Sequence, residues 1–208
     1  MRSRFFAFSL GAMLMAGLLG PATSIASEVP RIPQSRAEWE AMSSPQQAAV
    51  MAYLRQELES RLADGTAEIH EVSRSVTEVV TAPQSCAVLG FDSVTSITVT
   101  YNCYVRWTTI PGSGDWVQGG GYTDASNTIT EIYASRLAKK GQFLRDGTLK
   151  YNWYAEYWPG SHAENWSQSD FAFWWEYVHW VTKGWHGAYN NGVWLLGPDR
   201  YCYAETWL

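Results

Sequence analysis

The stretch V94-TSITVTYNCYVRWTT-I110 decides the fold. Ile97, Val99, Tyr101, Cys103, Val105 and Trp107 fall on one side of a period-two pattern. Thr98, Thr100, Asn102, Tyr104, Arg106 and Thr108 fall on the other. Such alternation is the mark of a half-buried antiparallel strand, because successive side chains point to opposite faces of a sheet. Pro111-Gly112-Ser113-Gly114-Asp115 ends the strand in a turn, and Gly119-Gly120-Gly121 reads as a bend. Upstream, Ile69 to Thr81 is rich in Val, Thr and Ser and reads as another strand.

Downstream the β signals continue. Thr128 to Lys140 fits either a helix or a strand and is assigned to a strand from its β flanks. Asp146-Gly147 is a hairpin turn, followed by a strand from Lys150 to Trp158. Phe171 to Thr182 reads as one strand, turned by Lys183-Gly184 into Trp185–Tyr189. Asn190-Asn191-Gly192 is a further hairpin signal. Val193–Leu196 follows, and a turn at Gly197-Pro198-Asp199 leads to a last strand from Arg200 to Trp207. Turns every eight to twelve residues indicate an antiparallel β-sandwich, of jelly-roll or immunoglobulin-like topology, over residues 65–208.

The region before it is different. Ser35-Arg36-Ala37-Glu38 has the spacing of a capping box, and a second start follows at Ser44, Pro45 and Gln47. Ala48, Val50, Met51, Leu54, Leu58 and Leu62 then recur at helical spacing, with Gly65 as the stop. Residues 35–64 therefore form an amphipathic helical extension, joined through a Pro-containing linker over 27–34.

The first 26 residues carry Arg2 and Arg4, an apolar run from Phe5 to Leu19, Pro21, and the small-x-small pattern Ser24-Ile25-Ala26. This is the anatomy of a secretory signal peptide. Cleavage after Ala26 removes two basic residues and no acid, moving the net charge from −5 to −7. The expected protein is exported, with no integral membrane segment after cleavage. Its acidic balance argues against nucleic acid as a partner.

Export makes a disulfide plausible. The cysteines are Cys86, Cys103 and Cys202, so one thiol is left over. Closeness in sequence favours Cys86–Cys103, with Cys103–Cys202 as the alternative. No Cys-x-x-Cys occurs and no histidine lies three to five residues from another, so spacing suggests no metal site and no cofactor.

Aromatic residues are the strongest functional signal. Eleven of the twelve tryptophans lie from Trp107 onward. A sandwich core of this size takes about four to six, given the area each ring occupies. The remainder must meet solvent or a ligand, and the pool is Trp153, Trp158, Trp166, Trp174, Trp175, Trp180, Trp185 and Trp194. The ligand-binding candidates are Trp158, Trp174, Trp180 and Tyr154. The expected function is non-catalytic binding of a polysaccharide, the cell envelope or a partner protein through exposed rings.

Two alternatives stand beside it. Glu156 and Glu176 lie on aromatic-rich strands and are the conditional catalytic pair of a glycan hydrolase. Such a pair needs carboxyls about 5–5.5 Å apart for retention or about 6.5–9.5 Å for inversion. The other alternative is a component of a secreted antagonistic or inhibitory protein system. No Gly-x-Ser-x-Gly elbow and no His-Glu-x-x-His is present. His162-Ala163-Glu164 lacks the Pro-Cys-x-x-Cys that a zinc deaminase requires.

Overall fold

A computed structural model of the chain describes residues 29–80, 97–126, 136–157, 161–190 and 193–208. Among the described residues the chain forms two helices and then nine strands arranged as two antiparallel sheets. The expected signal peptide and Trp158 lie outside the described residues, as does Cys86.

Helix α1 spans Arg36–Ala41, with the Ser35 hydroxyl accepting from the Glu38 amide at 3.2 Å. Helix α2 spans Ser44–Asp64. Its cap is Ser43, boxed with Gln46, one residue before the expected Ser44 and Gln47. The two pairs have the same spacing, and Pro45 suits either start because a first-turn amide has no intrahelical acceptor to lose. Gly65 closes the helix in the left-handed conformation, at φ 73°.

The first sheet contains β1 (Ile69–Val80), β2 (Ile97–Ile110), β3 (Gly114–Ser126), β6 (His162–Trp166) and β7 (Asp170–Phe173). Its order is β1-β2-β3-β6, with β7 pairing a different stretch of β3. The second sheet contains β4 (Arg136–Arg145), β5 (Thr148–Tyr157), β8 (His179–Asn190) and β9 (Val193–Trp207), in the order β5-β4-β8-β9. Both positive φ values of the β4–β5 turn fall on Asp146 and Gly147, as a tight hairpin demands.

The inner faces meet in a core of Val99, Tyr101, Cys103 and Val105 from β2, Val117 and Ala125 from β3, Leu137 and Phe143 from β4, and Trp180 from β8. Leu196, Cys202 and Ala204 of β9 join it, with Ala163, Ala172, Val178 and Ala188. The β2 alternation thus reports the core face directly. A disulfide joins Cys103 of β2 to Cys202 of β9 and ties one sheet to the other. This replaces the Cys86–Cys103 pairing. Chain distance is a poor guide here, because stacked sheets juxtapose residues 99 positions apart.

Three glycine readings are corrected. Gly119-Gly120-Gly121 is no bend but the middle of β3. A Cβ at Gly120 would lie 2.4 Å from the Tyr104 ring, and one at Gly119 would lie 2.3 Å from Thr182 Oγ1. Gly184 is no turn but an interior residue of β8. Gly197-Pro198-Asp199 does not split the last strand; it bulges out of β9 between the pairs Ala188↔Leu196 and His186↔Arg200. Conversely, the single strand expected over Phe171–Thr182 is broken at Trp174-Trp175 into β7 and the start of β8.

The helices are docked on the sandwich. Val50 and Leu54 pack with Ile110, Trp116, Phe171 and Phe173 at one end of the first sheet. Trp116 Nε1 donates to the Leu54 carbonyl at 3.1 Å, and Trp39 lies 4.9 Å from Phe173. No described helix is long and apolar enough to cross a membrane.

Candidate functional site

With the helices on the first sheet, the outer face of the second sheet keeps its rings exposed. The pairing registers set them in rows. Tyr154 of β5 stands opposite Lys140 of β4, Lys140 opposite Trp185 of β8, and Trp185 opposite Tyr201 of β9. The next row is Asn152, Gln142, Lys183 and Tyr203. Further along β8 and β9, Val181 faces Glu205 and His179 faces Trp207. Tyr154 is 63% exposed and Trp207 52%, while Tyr201 and Tyr203 are also open to solvent.

Strand geometry makes this arrangement regular. Alternate residues of β9 project to the same side, so Tyr201, Tyr203, Glu205 and Trp207 alternate with buried Cys202 and Ala204. Tyr201 and Tyr203 have centroids 6.3 Å apart, and Trp185 sits 5.5 Å from Tyr201. At one end Trp207 stacks between Tyr177 at 5.0 Å and His179 at 4.3 Å. At the other, Tyr189 and Trp194 meet edge to face at 5.1 Å. Tyr201 to Trp207 covers about 20 Å of strand.

Cations hold several rings in place. Lys140 Nζ lies 5.7 Å from the Trp185 centroid, and the Arg74 guanidinium reaches across from β1 to 5.3 Å from Tyr203. His179 Nε2 is 3.1 Å from a Glu205 carboxylate oxygen, which fixes the imidazole beneath Trp207. Partial burial, then the neighbouring Tyr203, raise the Tyr201 phenol above its ordinary range.

The expected site residues are dispersed. Tyr154 belongs to the platform. Trp180 does not: it is 0% exposed, stacked on Phe143 at 5.1 Å, with the Arg145 guanidinium 5.2 Å from its ring. Trp174 is 57% exposed but lies in the turn after β7, where its amide donates to the Ser113 carbonyl at 3.0 Å. Trp174, Glu176 and Trp180 share no strand face, because the single strand expected over Phe171–Thr182 is interrupted between β7 and β8. Glu176 has both carboxylate oxygens engaged: Oε1 with Arg145 at 2.8 Å and Oε2 with the Phe173 amide at 2.9 Å. It locks the turn rather than facing a substrate cleft. Glu156 pairs with Ala138 in the β5–β4 ladder, and its side chain lies outside the described part.

Tyr201, Tyr203, Trp207 and Tyr177 were not among the expected site residues, although the alternation Tyr-Cys-Tyr-Ala-Glu-Thr-Trp over 201–207 carried the signal. Two other clusters stand out. On the outer face of the first sheet, Tyr104 donates to Glu164 at 3.0 Å, Arg106 lies 4.1 Å above the Tyr104 ring, and His162 contacts Asp124. Burial, then Glu164, push the Tyr104 phenol strongly upward. In the core, His186 lies between the disulfide and Thr123.

No protein-family model, curated protein or solved structure matches this chain. The functional reading rests on the geometry.

Proposed function

We propose that this is an exported, non-catalytic glycan-binding protein whose binding face is the outer surface of the second sheet. The observation that carries the reading is the row Tyr154, Lys140, Trp185 and Tyr201 with its neighbour Asn152, Gln142, Lys183 and Tyr203. Flat rings stand there beside amides and ammonium groups. A sugar ring has an apolar C–H face and a rim of hydroxyls. The aromatic faces, with their negative quadrupole, suit the first, and the interleaved donors and acceptors suit the second.

The same pattern disfavours a protein partner. The centres of protein interfaces are depleted in lysine, yet Lys140 and Lys183 occupy the middle of this platform. The N-terminal segment and the sheet-to-sheet disulfide support export.

The test is to mix the purified protein with insoluble polysaccharides and cell-wall preparations, then score pelleted protein and released soluble sugar in the same tube. Retention without release is the expected result. Release of sugar would overturn the non-catalytic reading, and failure to pellet with any glycan would remove the carbohydrate reading.

A further inference from the structure

The interior of the sandwich holds a donor set that the platform does not use. Cys103 of β2, His186 of β8 and Cys202 of β9 are all buried, and one ligand-type atom from each lies within 4.8 Å of the others. His186 Nε2 is 3.2 Å from Cys202 Sγ and 3.7 Å from Cys103 Sγ. Its other nitrogen, Nδ1, is 2.8 Å from Thr123 Oγ1, and the Tyr101 ring stacks on the imidazole at 5.2 Å.

Two features suit a metal. First, Thr123 Oγ1 holds Nδ1 and turns Nε2 toward the two sulfurs, which is the outer-shell arrangement that orients metal-binding histidines. Second, zinc–sulfur bonds of about 2.3 Å and zinc–nitrogen bonds of about 2.05 Å at the tetrahedral angle place N and S about 3.6 Å apart. The two observed separations, 3.2 and 3.7 Å, bracket that value.

We propose that the reduced chain binds one zinc-type divalent ion through Cys103, Cys202 and His186, so that disulfide and metal are alternative ties between the two sheets. Opening the disulfide takes two electrons and two protons. A phosphine supplies them together with water: the phosphine is oxidised to its oxide, and each sulfur becomes a thiol. Metal entry then releases both thiol protons to solvent and forms two metal–thiolate bonds and one bond to Nε2. The sulfurs must separate to about 3.8 Å for this, again from the tetrahedral geometry. The Cα atoms are already 5.9 Å apart, so rotation about the cysteine side-chain bonds suffices. A fourth position is left for a small ligand such as water.

The experiment uses the full chain in a Cys86→Ser background, reduced with a phosphine under anaerobic conditions and titrated with Co²⁺, then with Zn²⁺ in competition. The expected result is a thiolate-to-cobalt charge-transfer band that saturates at one equivalent, is absent before reduction, and is displaced by zinc. Cys202→Ser abolishes the band. His186→Ala shifts it, with loss of the tetrahedral visible bands, and Thr123→Val lowers affinity about 10- to 100-fold. Circular dichroism is recorded alongside. If reduction unfolds the chain, zinc restores the fold in the Cys86→Ser protein and not in His186→Ala. A reduced protein with no cobalt band, a band indifferent to His186→Ala, or an unfolded reduced chain that zinc does not refold would each overturn the proposal.

Discussion

A methyl group at position 184 has nowhere to go. It would meet Cys103 Sγ and His186 Nε2 at 2.5 Å, closer than non-bonded heavy atoms pack. Overfilling of this kind costs about 1–3 kcal/mol. Gly184→Ala should therefore lower the urea midpoint with little change in slope, whereas Gly184 read as a turn residue would tolerate alanine. Tyr101 offers a second residue-scale test. Burial, then its hydrogen bond to Glu78 at 2.7 Å, push its phenol up to about 12. The unfolded chain ionises this group near pH 10, so the phenol's share of stability is intact below pH 10 and is lost between pH 10 and about 12. Tyr101→Phe should flatten that part of the stability–pH curve. Single residues were the least legible level of the sequence. Trp180 and Trp174 look alike in the chain, but one is sealed between Phe143 and Arg145 and the other stands open at a turn. Glu176 looks like a catalytic acid until Arg145 is found beside it, 31 positions away in the chain.

Elements were far more legible, because their causes are local. The period-two pattern of β2 and the 3.6-period stripe of α2 each follow from which side chains meet the core. Asp146-Gly147 supplies the two positive φ values of a tight hairpin. Glycine was misread where its role is long-range: Gly119, Gly120 and Gly184 sit in strands to admit Phe143, Tyr104 and the disulfide. Leu54 is fully buried against the Ile110, Trp116, Phe171 and Phe173 cluster. Leu54→Ala should cost about 2–5 kcal/mol in chemical denaturation. It should also change the fluorescence of Trp116, whose indole N–H donates to the Leu54 carbonyl. A loss below about 0.5 kcal/mol would mean that the helix is only loosely attached.

At the scale of the whole molecule, the two sheets are tied by the Cys103–Cys202 bond, and by Glu78 of β1, which receives Tyr101 of β2 and pairs with Arg200 of β9 at 3.2 Å. The disulfide closes a loop of about 100 residues, for which chain entropy gives about 4–5 kcal/mol. Cys103→Ser in metal-free buffer should lower stability by roughly that amount, whereas Cys86→Ser, outside this bond, should not lower it by more than about 1 kcal/mol. A sandwich was legible from turn spacing, and a surplus of exposed rings from composition. The location of the rings was not, because the platform is assembled from β4, β5, β8 and β9 through pairings that no local pattern encodes. Tyr154 was found because its strand alternates, and Tyr203 and Trp207 were overlooked although theirs does too.

Glycan binding by this platform is tested by retention on the best-binding insoluble polysaccharide of Tyr201→Ala, Tyr203→Ala and Trp207→Ala, against Trp174→Ala as an exposed ring off the platform. Each platform change should weaken binding about tenfold, about 1.4 kcal/mol, with thermal stability unchanged, while Trp174→Ala binds like the parent. Equal retention by all four variants, or a loss confined to Trp174→Ala, would contradict the account.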